Sequence, residues 1–226
     1  MEIIIEKDVK IEDILSDGMI VKDNMVIIEN VSSMPVTVEK KANKILVRLN
    51  KFSTENDFEI AKKIVANIDK YSVVNIDYEK DLKKELENIQ DKDTVIQYIN
   101  RPVYLSKELI KELLKNPNLL SEFSKLVYQV QYIDIYEANV RQFYDDNKEI
   151  IYMYYVNRDT DTLIKYVPVE SNYKNSYINI VDKIDNKYET INIFKYSEFL
   201  NLLKKEDFSF IDSNHVVIKS KFNLKG

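Results

Sequence analysis

The hydrophobic period of this chain changes twice, and that segregation limits the folds open to it. Up to Phe52 the apolar residues alternate or fall in short runs. From Thr54 to Val130 they recur mainly at helical spacing, and from Tyr132 onward branched and aromatic runs return. Strands and helices gathered into separate blocks read as α+β.

In the first block Glu2 to Glu6 is a short apolar run. Met19–Val21 and Met25–Val31 flank Lys22-Asp23-Asn24, a turn whose Asp and Asn tolerate left-handed geometry. Val36–Val38 and Lys44–Phe52 flank a second polar turn, Lys40–Asn43, and Ile45, Val47 and Leu49 make one apolar face. These segments predict antiparallel hairpins in a meander. Thr54 with Asp57 three residues on reads as a helix start, followed by an apolar stripe through Phe58, Ala61, Ile64, Val65 and Ile68. Ser72–Asp77 then reads as a strand, which gives a β-α-β element. The charged segment Glu79–Gln90 reads as a surface helix. A single α+β protein over 1–226 is expected, with a lobe boundary placed within 79–105.

Ser106 caps a predicted helix with Leu109, Ile110, Leu113 and Leu114 inward. Asn116-Pro117 ends it and starts another, whose stripe is Leu119, Phe123, Leu126, Val127 and Val130. The result is a central helical hairpin. Strands are expected at Tyr132–Ala138, Ile150–Val156, Thr162–Val169, Tyr177–Val181, Tyr188–Phe194 and His215–Lys219, with one late helix over Ser197–Lys204. The C-terminal part is thus a mostly antiparallel sheet.

Two glycines (Gly18 and Gly226), one histidine (His215) and no cysteine exclude much familiar chemistry. Phosphate-cradling loops and nucleophile elbows need glycine where the backbone turns sharply or approaches a ligand. Zinc sites and thiol nucleophiles need cysteine or clustered histidine. No cofactor and no metal site is implied. The formal net charge is −5 and no basic stripe stands out, so nucleic acid is not an expected partner. No stretch approaches the roughly 20 apolar residues that cross a bilayer, and the first ten residues resemble no leader. Bacterial cytoplasm is the simplest placement. The 16 tyrosines follow an AT-rich codon bias shared with Lys, Asn and Ile, so most are expected to be ordinary half-buried strand residues.

The candidate sites are few. Asp212 precedes His215 by three residues and forms a candidate polar pair. Asp23 with Glu39-Lys40-Lys41 faintly matches the acid…acid-x-lysine pattern of metal-dependent nucleases, although both parts fall at predicted hairpin tips. Asp145-Asp146, Asp159 and Asp161 read first as turn residues, and the acidic Asp57–Glu59 segment as a complement to a helix N-terminus.

Three stretches run in an ordered series. They are Leu49–Lys62, the Tyr136–Pro168 region with its Thr162-Leu163-Ile164-Lys165-Tyr166-Val167-Pro168 end, and Phe199-Leu200…Phe210–Ile218 with Asp212-Ser213-Asn214-His215. Together they resemble an uncharacterised domain-of-unknown-function family of low-GC Firmicutes and Fusobacteria. The chain departs from that pattern at Val167, where the family more often carries a charged residue before proline. The resemblance implies no activity, so it assigns no catalytic residue. It does make Asp212 and His215 part of a recurring pattern.

The composition favours a protein–protein interaction module, most concretely an immunity protein or inhibitor whose carboxylates and tyrosines cover a partner with a basic surface. Tyr152, Tyr154, Tyr155, Asp159 and Asp161 are the candidate contact residues. The alternative is a metal-dependent, carboxylate-based hydrolase or nuclease-like enzyme using Asp23, Glu39 and Lys41 or Asp212 and His215. A third reading is a housekeeping protein that oligomerises through a free sheet edge.

Overall fold

The computed structural model of the protein describes residues 2–6, 10–68, 77–165, 176–185 and 187–224. The chain divides into two compact units, Met1–Tyr132 and Ile133–Gly226.

The first unit opens with β1 (Glu2–Glu6), β2 (Met19–Lys22), β3 (Met25–Ile28), β4 (Val36–Lys41) and β5 (Lys44–Arg48). They form one five-stranded antiparallel sheet in the order β1-β5-β4-β3-β2. The expected hairpins are there. Asp23 and Asn24 turn the β2–β3 hairpin at φ values of 50° and 65°, the left-handed pair that matches strand twist. Ile45, Val47 and Leu49 face the core with Val36 and Val38, and β1 adds Ile5. Helix α1 (Glu55–Ile68) supplies the other side of this core through Phe58, Ile60, Ala61, Ile64, Val65 and Ile68. Burying each large side chain of that stripe contributes about 1.5–3 kcal/mol.

The strand expected at Ser72–Asp77 lies outside the described residues except for Asp77. That residue caps α2 (Tyr78–Glu87), its carboxylate accepting from the Lys80 amide at 3.1 Å. The boundary expected within 79–105 falls instead after Tyr132. Charged as α2 is, its narrow seam of Leu82 and Leu86 is buried, and α2 contacts the two helices that follow within the first unit. A short hairpin not anticipated from the sequence, β6 (Thr94–Ile96) with β7 (Val103–Leu105), comes next. Then α3 (Lys107–Lys115) and α4 (Leu119–Tyr132) make the expected helical hairpin. Ser106 Oγ accepts from the Leu109 amide at 3.2 Å, as a capping serine should.

Asp57 ties the connections of this unit together. Fully buried at the third position of α1, it accepts the amides of Ser33 (2.8 Å) and Met34 (3.2 Å) on one oxygen. Its other oxygen accepts the Thr54 amide (2.8 Å) and hydroxyl (2.9 Å). The Thr54–Asp57 pair is thus half of a capping box whose aspartate also holds a distant loop. Around it Tyr78 donates to the Ser53 carbonyl, Tyr98 to that of Phe52, and Tyr132 to that of Ser32. Burial, and after it hydrogen bonding or the Asp57 charge, governs these phenols. All three are shifted upward, Tyr132 to about 12, so each stays a donor at neutral pH.

The second unit contains β8 (Tyr136–Glu137), β9 (Asn139–Tyr144), β10 (Ile150–Asn157), β11 (Thr162–Lys165), β12 (Tyr177–Ile184), β13 (Lys187–Lys195), α5 (Tyr196–Leu202), β14 (Phe208–Phe210) and β15 (His215–Ile218). Two four-stranded sheets result, ordered β13-β12-β10-β9 and β14-β15-β11-β8. Antiparallel pairing predominates, but β10–β12 and β8–β11 are parallel. The strand expected over Tyr132–Ala138 is corrected. Helix α4 keeps Tyr132 because its apolar stripe continues to Val130 and Gln131 is buried, and strand structure starts at Tyr136. Thr162–Val169 is a strand through Lys165, and its remainder lies outside the described residues. Tyr154, Val156, Ile178 and Ile180 from one sheet meet Ile164, Val216 and Ile218 from the other, with Phe199, Leu203 and Phe222 completing the core.

Candidate functional site

The sheet β13-β12-β10-β9 has a core face and an open face, and its register says which residues lie on each. Tyr155 stands opposite Asn139 and Asn179, and Met153 opposite Arg141 and Tyr177. Side chains alternate along each strand, so these residues share the face turned away from Tyr154 and Val156. Along β13 the pairing slips: Ile180 faces Asn192 and Val181 faces Thr190, leaving Ile191 as the extra residue of a β-bulge. Past the bulge, Thr190 and Tyr188 follow on the open face.

A cleft of about 690 Å³ lies there, with Tyr155, Asn157, Val181 and Thr190 among its lining residues and Tyr136, Arg141 and Tyr188 beside them. The Arg141 guanidinium sits 5.3 Å from the centre of the Tyr155 ring, a cation–π contact. Asn139 donates to the Tyr136 hydroxyl at 2.8 Å. Phe143, Tyr188 and Ile193 are exposed toward the ends of the same face. The cleft thus combines aromatic walls with one guanidinium and several amide or hydroxyl groups.

The sequence-derived candidates are divided by this geometry. Tyr155 lies in the cleft. Tyr154 lies in the core, its ring edge-on to Tyr196 at 5.1 Å, and Tyr152 packs half-buried against that core. Asp159 accepts the Lys183 amide at 3.1 Å and Asp161 the Ser220 amide at 2.8 Å, so each pins a turn to a neighbouring segment.

Asp212 and His215 do come together. Asp212 Oδ2 lies 3.0 Å from His215 Nδ1, while its Oδ1 accepts the Asn214 and His215 amides at 2.7 Å each. Both side chains are buried, with 3% and 7% of each residue exposed. Such a carboxylate fixes the ring orientation, and it equally closes the turn that enters β15.

Asp23 is in the exposed β2–β3 turn, whereas Glu39 on β4 is committed to Arg48 at 2.9 Å and Lys41 at 3.4 Å. Among the described residues no group of three His, Cys, Asp or Glu side chains is placed to hold a metal ion.

Asn139 and Arg141 escaped the sequence reading because Asn139–Tyr144 has no clean apolar alternation, whereas Tyr188 fell in an expected strand whose open face was not legible. The signal that could have found β9 is the Asp145-Asp146-Asn147 turn, which needs a strand on both sides.

Fold and site together define an α+β protein whose second unit presents an open, aromatic-walled sheet face. The chain belongs to the family described as Domain of unknown function (DUF4299), whose model matches residues 6–225. The resemblance to an uncharacterised family is borne out at that level. No curated protein and no solved structure matches the chain. No helix among the described residues is long and apolar enough to cross a membrane.

Proposed function

We propose that the protein is a protein–protein interaction module of the bacterial cytoplasm, of the immunity-protein or inhibitor kind, and that it binds through the open face of its second unit. The observation that carries this reading is the cleft walled by Arg141, Tyr155 and Tyr188 on a sheet face whose ends expose Phe143 and Ile193. Aromatic and arginine side chains around a desolvated centre are the usual anchors of an interface. The net charge of −5 speeds encounter with a basic partner, and Arg141 donates to one carboxylate or carbonyl group within it. Asp159 and Asp161 support the surface by fixing its turns.

The enzyme alternative has less behind it, because Asp23 and Glu39 occupy different strand pairs and His215 is buried.

The test is affinity capture from the source organism at modest salt with the wild-type chain, Tyr155→Ala and Tyr188→Ala. A partner that binds the wild type and loses about tenfold or more in affinity with Tyr155→Ala agrees with the proposal. A partner indifferent to both substitutions, or no partner at all, refutes it.

A further inference from the structure

The same sheet ends in two edges that differ in how they treat a neighbouring strand. Edge β13 carries the bulge at Ile191 and charged Lys187, Glu189 and Lys195, devices that discourage pairing with another strand. Edge β9 is less protected: six consecutive exposed residues, no proline, no bulge and a single charge, Arg141.

The direction of its free hydrogen-bonding groups follows from the ladder. The Asp145 amide donates to the Glu149 carbonyl at 3.0 Å, in register with the β9–β10 pairs. Odd-numbered residues of β9 therefore bond β10, and the amides and carbonyls of Val140, Gln142 and Tyr144 point outward. Ala138 obeys the same parity, its amide reaching the Leu163 carbonyl at 2.8 Å on the outer side. No hydrogen bond among the described residues takes up the outward groups of β9. Val140, Phe143 and Tyr144 are 48%, 43% and 67% exposed.

We propose that β9 pairs antiparallel with β9 of a second copy of this chain, about a two-fold axis at Gln142, to make one continuous eight-stranded sheet. An axis normal to the sheet keeps each face on its own side, so residues of equal parity meet. Centring on Gln142 makes Gln142–Gln142 and the two Val140–Tyr144 pairs the hydrogen-bonded ones, each exchanging both of its bonds. It sets Arg141 opposite Phe143 of the other copy, so the guanidinium has an aromatic ring on both sides. The neighbouring register, centred on Arg141, opposes two like charges and is rejected. The inference goes beyond the partner-binding proposal, because it uses the edge of the sheet and a copy of the same chain.

Sedimentation equilibrium on the full chain over a wide concentration range tests it. The wild type is expected to rise from 26.8 kDa toward twice that mass. Phe143→Lys sets lysine against Arg141 of the other copy and raises the dissociation constant about tenfold or more. Arg141→Glu combined with Phe143→Lys restores association by exchanging repulsion for two ion pairs. Gln142→Pro removes the central outward amide without costing a bond to β10, and abolishes the dimer while leaving the circular dichroism unchanged. A monomer at every concentration overturns the proposal. So does a dimer indifferent to both Phe143→Lys and Gln142→Pro, or a charge-exchanged variant no tighter than Phe143→Lys.

Discussion

Replacing Asp57 by alanine removes the acceptor of four hydrogen bonds, three from backbone amides and one from a hydroxyl. The Thr54 hydroxyl can turn to another partner, but the amides of Ser33, Met34 and Thr54 cannot. Each buried donor left without an acceptor costs about 1–3 kcal/mol. The low end of their sum, about 3 kcal/mol, is expected, since water can enter the space vacated by the carboxylate. Asp57→Asn keeps one acceptor oxygen for Ser33 and Met34 and turns its amide toward Thr54, so it loses roughly half as much. Because the chain has two units, a global unfolding curve mixes their transitions, and a local readout is better. Hydrogen exchange at the Ser33 and Met34 amides should accelerate roughly a hundredfold in Asp57→Ala, the equivalent of about 3 kcal/mol. Burial holds the Asp57 carboxyl above its ordinary 3.8, against the lowering effect of its four donors. The native state then binds the proton more tightly than the unfolded chain. The contribution of this group to stability falls as pH rises from 3.8 through the raised native value, and is level above it. Asp57→Asn should flatten that part of the profile. Unchanged exchange at 33 and 34 in Asp57→Ala, or a stability loss below about 1 kcal/mol, would show that this carboxylate does not hold the Ser33–Met34 loop.

Three further outcomes follow from the hydrogen bonds described above. Tyr78, Tyr98 and Tyr132 are raised above their ordinary 10.0, so the native state retains protons that the unfolded chain loses. Stability of the first unit should decline as pH climbs past 10, and spectrophotometric titration should show these three phenols ionising at higher pH than an ordinary tyrosine. Early, reversible ionisation of all the tyrosines would contradict it. In the second unit, Asp212→Ala should cost about 2–4 kcal/mol, because it orphans the Asn214 and His215 amides. Nitrogen NMR of neutral His215 should find the proton on Nδ1, facing Asp212, and a proton on Nε2 instead would show that this carboxylate does not orient the ring.

What the sequence made legible was local. Asp23-Asn24 announced a left-handed turn, Ser106 a cap, and Asn116-Pro117 a break, since each acts on backbone within a few residues of itself. The stripes of α1 and α4 were equally plain, because a buried helix face repeats. Hidden from it were contacts made to backbone far away. Asp57 looked like an N-terminal acid, and nothing in Ser33-Met34 marks those amides as its partners. Three tyrosine hydroxyls reading carbonyl oxygens leave no trace in the residues that own the carbonyls. At the candidate site Tyr155 was legible as a strand aromatic. Its face was not, since Ile150–Asn157 is apolar on both sides and lacks the alternation that tells in from out. The bulge on β13 likewise belongs to a pairing, and a pairing cannot be read from one strand.

Ala138 separates β8 from β9, and its amide already belongs to the other sheet. One run of chain therefore serves as a beam spanning both layers of the second unit. β8 is laced to β11, and β11 to β15, whose first residue is His215. β9, β8, β11 and β15 thus form one continuous series of chain and ladder, running from the open sheet edge to the strand that His215 begins.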